Sequence, residues 1–190
     1  MIPIVLILND YIKTPIDRLY FQTPLRPLVG IRNSLIDLFF YKPHYSVYEF
    51  RSLCTVQNHF IDIKNEYDTI HKYIQKYYFH DLDPWFEYNE NYYYYKIQDF
   101  SELNTFLKTV PCIEHAIIAV MEGPMSIPPH RAESNLQLRY HLTIEGTSNI
   151  TTDMEIHKHE PSDYILFDHS RYHSAVSYTH LRAHETKANL

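Results

Sequence analysis

The residues best equipped for chemistry lie together in PPHRAESNLQLRYHLTI, Pro128 to Ile144. Its second half alternates strictly. Leu136, Leu138, Tyr140, Leu142 and Ile144 fall on one face of a strand, and Gln137, Arg139, His141 and Thr143 on the other. Residues two apart in a strand point the same way, roughly 6.5 Å from each other along the chain. Arg139 and His141 therefore stand side by side, both able to donate hydrogen bonds to one small carboxylate. His130, on a proline-stiffened turn just upstream, is placed to hold a metal ion above them. A metal needs a second imidazole, and FDHSRYH offers one. Tyr164 to Phe167 reads as a short buried strand, Asp168 to Arg171 as a turn, and His173 stands just beyond that turn.

A lone His130 or His141 is more often a packed structural histidine than a ligand; it is the joint pattern that favours a metal site. Non-haem iron oxygenases commonly use two histidines and one carboxylate, usually supplied as HxD or HxE. None of the 13 histidines here is followed two residues later by Asp or Glu. Glu133, three residues after His130, reads as a solvated loop charge.

His130, Asn135, Leu138, Arg139, His141 and Leu142, then Phe167, Asp168, Ser170 and His173, resemble the aspartyl/asparaginyl β-hydroxylase family position by position. The resemblance spans roughly Asn58 to Ser174. That family comprises Fe(II)- and 2-oxoglutarate-dependent oxygenases. The resemblance therefore implies a mainly β fold, a double-stranded β-helix (a jelly-roll or cupin-like barrel) with flanking N-terminal helices. It implies His130 and His173 as Fe(II) ligands, with water in the third protein position, which suits the missing carboxylate. It also implies that Arg139 and His141 hold the 2-oxoglutarate carboxylate beside the metal, and that Asp168 shapes its turn rather than ligating.

The activity implied is hydroxylation of an Asp or Asn side chain in a peptide or a carrier-bound amino acid. A lipid acyl-chain hydroxylase of the same family and a non-catalytic β-helix binding module stay open as alternatives. Departures from the family pattern are Ala132, where Gly is usual, and Ala175 and Val176, where a Trp usually stands. The family's arginine for the distal carboxylate of 2-oxoglutarate comes after the second histidine, and its role is not carried over to Arg182. His157 and His159 form an HxH pair followed by Glu160, similar to a cupin-type metal set. No glycine brackets that pair, and it reads as an exposed hairpin strand.

A chain of 190 residues, 45% hydrophobic, is long enough for one domain with a core, and 18 tyrosines suit a sheet-rich protein. The net charge of −6, without a clustered Lys/Arg run, argues against a general nucleic-acid binder. With only three glycines, neither a Walker A loop nor a GxGxxG fingerprint can be built, and no GxSxG elbow exists. Cys54 and Cys112 form no CxxC; a single disulfide between them stays open, and the favoured reading is two buried thiols in a reducing compartment, with the cytoplasm as the expected location. No apolar span is long enough for a membrane helix. The partner is a peptide or small-molecule substrate, of unspecified identity.

Before the site, MIPIVLIL reads as a strand or core-docking segment and Ile31 to Phe40 as a helix. YSVYEF looks β-like. Ile63, Tyr67, Ile70, Ile74 and Tyr77 mark an amphipathic helix with Asp62 as a candidate N-cap. DPWFEYNENYYYYKI supplies a turn and a half-buried strand, and Trp85 with Tyr92 to Tyr95 form a candidate aromatic platform. Ser101 starts a second helix, AIIAVM is a buried strand, and EGPMSIPP is the turn that delivers His130. Residues 1–57 thus form an N-terminal extension on the core and 58–175 the β-hydroxylase-like domain. VSYTHLRAHET, Val176 to Thr186, matches the translation of a widely used transposase sequencing adapter. Residues 176–190 are therefore expected to be an artefactual tail that packs poorly, with the natural sequence stopping near Ser174 or Ala175 and the barrel truncated.

Overall fold

A computed structural model describes residues 1–12, 25–42, 45–82, 87–132, 134–152, 155–178 and 181–189. The central strand, β5 (Gln137–Glu145), obeys its alternation. Leu138, Tyr140, Leu142 and Ile144 are completely buried, each of the three aliphatic side chains contributing about 1.5–3 kcal/mol. Leu136, just before the strand, stays half-exposed. The opposite face carries Arg139, His141 and Thr143 into a cavity. A one-residue slip would exchange the two sets, so the register is strongly specified.

Around β5 lie β1 (Tyr77–Tyr78), β2 (Tyr92–Lys96), β3 (Ile113–Met121), β8 (Tyr164–Phe167) and β10 (Leu181–Asn189). Together they make an antiparallel six-stranded sheet in the order β1-β2-β3-β10-β5-β8. A second sheet has the order β4-β9-β6-β7, from β4 (Met125–His130), β6 (Ser148–Thr152), β7 (Glu155–His159) and β9 (His173–Ser177). Gly123 and Gly146, at φ 77° and 86°, take the left-handed conformation where the chain leaves the large sheet for the small one. Residues from both sheets line one cavity between them. The architecture is a cupin-like double-stranded β-helix.

Helices cover the outer face of the large sheet. They are α3 (Arg51–Asn58), α4 (Phe60–Ile70) and α6 (Ser101–Leu107). Leu53, Val56, Ile63, Tyr67, Leu103 and Leu107 from these helices meet Tyr93, Tyr95, Ile118, Val120 and the apolar side of β5 in the main core. The carboxylate of Glu66 accepts the backbone N–H groups of Glu102 and Leu103 at 2.9 and 2.7 Å, satisfying donors at the start of α6. Two further helices, α1 (Ile2–Ile12) and α2 (Arg26–Phe40), pack on each other, and α5 (Phe79–Leu82) sits beside β2. Among the described residues no helix is long and apolar enough to cross a membrane.

Several expectations need correction. MIPIVLIL is helical; its contiguous apolar run has no alternation to favour a strand, and α2 gives it a partner. Ile2, Ile4 and Val5 remain exposed, so it does not dock in the core. YSVYEF holds a 3₁₀ turn, Val47–Glu49, with the Ser46 side chain accepting from Tyr48 N–H. The amphipathic helix starts at Phe60, placing Asp62 inside its first turn, and it ends at Ile70, so Ile74 and Tyr77 lie beyond it. Tyr92 to Tyr95 are all buried, because helices cover one face of β2 and the barrel interior the other. Trp85 and Glu133 lie outside the described residues. Residues 125–130 form a strand instead of a turn, with His130 as its last residue. Within residues 176–190, Leu181–Asn189 forms a strand paired with both β3 and β5, and Ala183 is buried; pairing of this kind does not decide the origin of the segment.

Candidate functional site

β4 and β9 run antiparallel, and their register makes His130 and His173 direct partners. The ladder breaks between Ile127 and His130, where Pro128 and Pro129 have no N–H to donate. The two rings lie with centroids 4.3 Å apart, tilted by 55°. Each Nδ1 meets a carbonyl two residues upstream: His130 to Pro128 O at 3.0 Å, His173 to Arg171 O at 2.9 Å. Assigning the proton to Nδ1 in both cases puts the neutral ring's lone pair on Nε2. Burial holds the His173 pKa well below the ordinary histidine value, and the neighbouring His130, Arg139 and His141 push it the same way. Its imidazole is therefore neutral at pH 7. Phe167 presents its ring edge-to-face at 5.1 Å to both His141 and His173.

The cavity beside this pair has a volume of about 490 Å³. His130, His173, Arg139 and His141 all line it, so one space collects the four residues singled out from sequence. Apolar side chains including Phe79, Tyr92, Met121 and Ile127 form much of the remaining wall. Among the described residues, no Asp or Glu lines it, while two arginines do. That balance favours an anionic occupant.

Two cavity residues escape a reading of the sequence alone. Arg131 is buried and lines the cavity although it directly follows His130. Strict alternation would send it to the other face; the break at the prolines and the end of the strand remove that rule. His169 is also buried, its Nδ1 at 3.1 Å from Gln137 O, and its carbonyl accepts from Ala132 N at 2.8 Å. This last bond ties the segment after His130 to the turn before His173.

Asp168 shapes that turn. Its Oδ1 accepts from Ser170 N at 2.9 Å, and Oδ2 lies 3.8 Å from Arg171 Nε. Burial raises its carboxyl pKa, against the lowering by Ser170 and Arg171. It does not line the cavity. Among the described residues no group of three or more His, Cys, Asp or Glu is arranged to hold a metal, so a metal here would rest on the histidine pair.

The HxH pair is placed elsewhere. His159 is buried, not exposed as its hairpin position suggests, with Nδ1 3.4 Å from Thr143 Oγ1 on the opposite sheet. Burial pushes its pKa down to about 4. His157 is half-buried, its Nε2 3.2 Å from Thr152 Oγ1. Neither lines the cavity.

Comparison with the curated proteins gave no match. Among solved structures, a cupin superfamily protein from Desulfitobacterium hafniense is similar at 12% identity and TM-score 0.36, over 40% of this chain and 67% of that one. The cupin domain of Cnp3 from Schizosaccharomyces pombe is 15% identical with TM-score 0.37, over 42% and 55%. A salicylate 1,2-dioxygenase from Pseudaminobacter salicylatoxidans is 11% identical with TM-score 0.36, over 42% of this chain and 22% of its own. The family profile described as aspartyl/asparaginyl beta-hydroxylase matches residues 57–183, which is more than half of the chain and includes all four cavity residues named from sequence. This chain belongs to the aspartyl/asparaginyl β-hydroxylase family.

Proposed function

We propose that this hydroxylase depends on Fe(II) and 2-oxoglutarate and acts on the β-carbon of an Asp or Asn side chain, in a peptide or a carrier-bound amino acid. The observation that carries the proposal is the cross-strand pair His130 and His173, with rings 4.3 Å apart in a cavity shared with Arg139 and His141. Two imidazoles with Nδ1 anchored to backbone carbonyls suit Fe(II) as a donor set, since each would ligate through Nε2 in a fixed orientation. Bound there, the ion supplies the dioxygen chemistry that couples decarboxylation of 2-oxoglutarate to hydroxylation.

The protein's own part is placement. Arg139 and His141, two residues apart on β5, would hold the carboxylate nearest the metal. Arg131 adds a second guanidinium to the same cavity, which suits a dianion. Phe167 packs its ring against both His141 and His173, one residue from each motif. An Asp or Asn side chain entering beside the pair would find hydrogen-bond donors but no competing carboxylate among the described lining residues.

The test is an anaerobic titration of the full chain with Fe(II) and 2-oxoglutarate, read by the visible charge-transfer absorption of the ternary complex. Exposure to air then reports succinate release and the gain of one oxygen atom on Asp- or Asn-containing peptides. The wild type should show all three, and His130→Ala and His173→Ala none. Undiminished absorption in both variants would remove the histidine pair from the site.

A further inference from the structure

The N-terminal helix α2 lies outside residues 57–183, yet it touches both segments that carry the histidine pair. Asp37, near its C-terminal end, makes the junction. Its Oδ1 accepts from Asn135 Nδ2 at 2.9 Å, and the same amide group donates to Asn33 O at 2.9 Å. Asn135 is buried in the segment between His130 and β5. On the other side, Asp37 Oδ2 lies 3.9 Å from Arg171 Nη2. The Arg171 guanidinium also sits 4.0 Å from the centre of the Tyr41 ring and 3.8 Å from Asp168 Oδ2. The Arg171 carbonyl, in turn, takes the Nδ1 proton of His173 at 2.9 Å.

One carboxylate therefore holds the strand-to-strand segment after His130 and the turn before His173 against a single helix. Both ionic side chains are largely sheltered, at 16% and 18% exposure, so solvent screens their attraction less than at an open surface. The two segments also meet directly, through the backbone bond from Ala132 N to His169 O. Asp37 adds a side-chain tie to each.

We infer that Asp37 is a positioning residue for the histidine pair: it clamps the two ligand-bearing segments to α2 and so fixes the spacing of His130 and His173. The inference rests on reading that pair as the metal site. A ligand set held in place loses less freedom on binding an ion than one that must be ordered first, and outer partners of metal ligands typically contribute about 10- to 100-fold in affinity.

The test uses Co(II) as the probe, titrated into the full chain and followed by its visible absorption, with a melting curve for each variant. Asp37→Ala should weaken Co(II) binding by about tenfold or more. Asp37→Asn should fall between, because its amide oxygen still accepts from Asn135 while the charge facing Arg171 is gone. Ser34→Ala removes both the 2.8 Å bond from Ser34 Oγ to Leu6 O and the 3.2 Å bond from Asn9 Nδ2 to Ser34 Oγ, loosening α1 on α2 without touching either ligand segment, and should bind like wild type. Equal loss in Ser34→Ala and Asp37→Ala would show a general stability effect and overturn the inference. Wild-type affinity in Asp37→Ala, with His130→Ala inactive in binding, would overturn it while leaving the metal site standing. If His130→Ala binds Co(II) as the wild type does, the metal reading itself fails and takes this inference with it. Should Asp37→Ala not fold, Asp37→Asn decides: a native melt with unchanged Co(II) affinity is the overturning result.

Discussion

Two histidine pairs sit on the same four-stranded sheet, and only one faces the cavity. His157 and His159 are two residues apart on β7; His130 and His173 are distant in sequence but opposite each other on β4 and β9. Neighbours two apart on a strand share a face but stand roughly 6.5 Å apart along it, whereas cross-strand partners bring their Cβ atoms to about 4.5–5.5 Å. The sequence-adjacent pair is drawn off separately, one ring to Thr143 and the other to Thr152. The sequence-distant pair converges. Burial lowers the pKa of His159 and His173 alike, but with different consequences. At His159 the neutral ring packs between the sheets; at His173 it offers a lone pair to the cavity.

The largest way to break this comparison is to remove a converging ring. His130→Ala or His173→Ala should lower divalent-metal affinity by at least about 100-fold, since one imidazole cannot replace two and the upper range for ligand-shell changes is already of that size. Calorimetry with Fe(II) under nitrogen checks this. A change of less than about tenfold in both variants would mean that the metal, if bound, lies elsewhere.

The next effect is on stability and belongs to the other pair. His159 has a folded pKa of about 4. An unfolded histidine titrates near about 6.5. Between these values the unfolded chain binds more protons, so stability rises with pH across the window; it is complete above about pH 6.5 and is lost as pH falls towards about 4. The full contribution is on the order of 3 kcal/mol, from about 1.4 kcal/mol for each pH interval of one between the two pKa values. Urea unfolding at about pH 7 and about pH 4.5 should show a larger loss for wild type than for His159→Gln. Equal losses in the two proteins would clear His159 as the source.

Within the converging site, Arg139→Leu should keep the fold and weaken 2-oxoglutarate binding by about tenfold or more. That is the loss of one charge-assisted hydrogen-bond pair, roughly 1.5–3 kcal/mol. Calorimetry with Co(II) in place of iron measures it without turnover. Unchanged affinity would assign the carboxylate to Arg131, the other guanidinium of the cavity.

The site was legible where alternation held. Leu138, Tyr140, Leu142 and Ile144 fall in the core and Arg139 and His141 in the cavity, as their spacing requires. It was illegible where alternation stops: Arg131 and His169 lie just past a strand end and inside a turn, where neighbouring side chains follow no two-residue rule. The fold shows the same boundary. β8 ran where its apolar residues placed it, but MIPIVLIL chose helix over strand because α2 offers it a helical partner that no local pattern reveals. The burial of Tyr92 and Tyr94 likewise depends on Phe79, Met121 and Ile127 arriving from elsewhere. For residues 181–189, a match to an adapter concerns the origin of the letters and not how they pack. Strand β10 fills a place between β3 and β5 that an extended segment with a suitable pattern can occupy.

The smallest predicted effect is the sharpest control on the comparison. His157→Ala removes one hydrogen bond, from Nε2 to Thr152 Oγ1, on the edge strand of the small sheet. A bond of this kind contributes about 0.5–1.5 kcal/mol, and the half-buried setting puts this one toward the lower end. Its loss should shift the urea midpoint slightly and leave Co(II) and 2-oxoglutarate affinities within about twofold of wild type. The sheet offers a built-in route for error: Thr152 pairs with His173 across β6 and β9, so a disturbed Thr152 would be felt at the metal candidate. If His157→Ala weakens Co(II) binding about tenfold, comparison with Thr152→Val separates the two explanations. Thr152→Val removes the hydroxyl and keeps the shape; the same loss there would show that the HxH pair acts on the site through Thr152. A loss confined to His157→Ala would instead make His157 part of the metal site, and the division between the two pairs would be wrong.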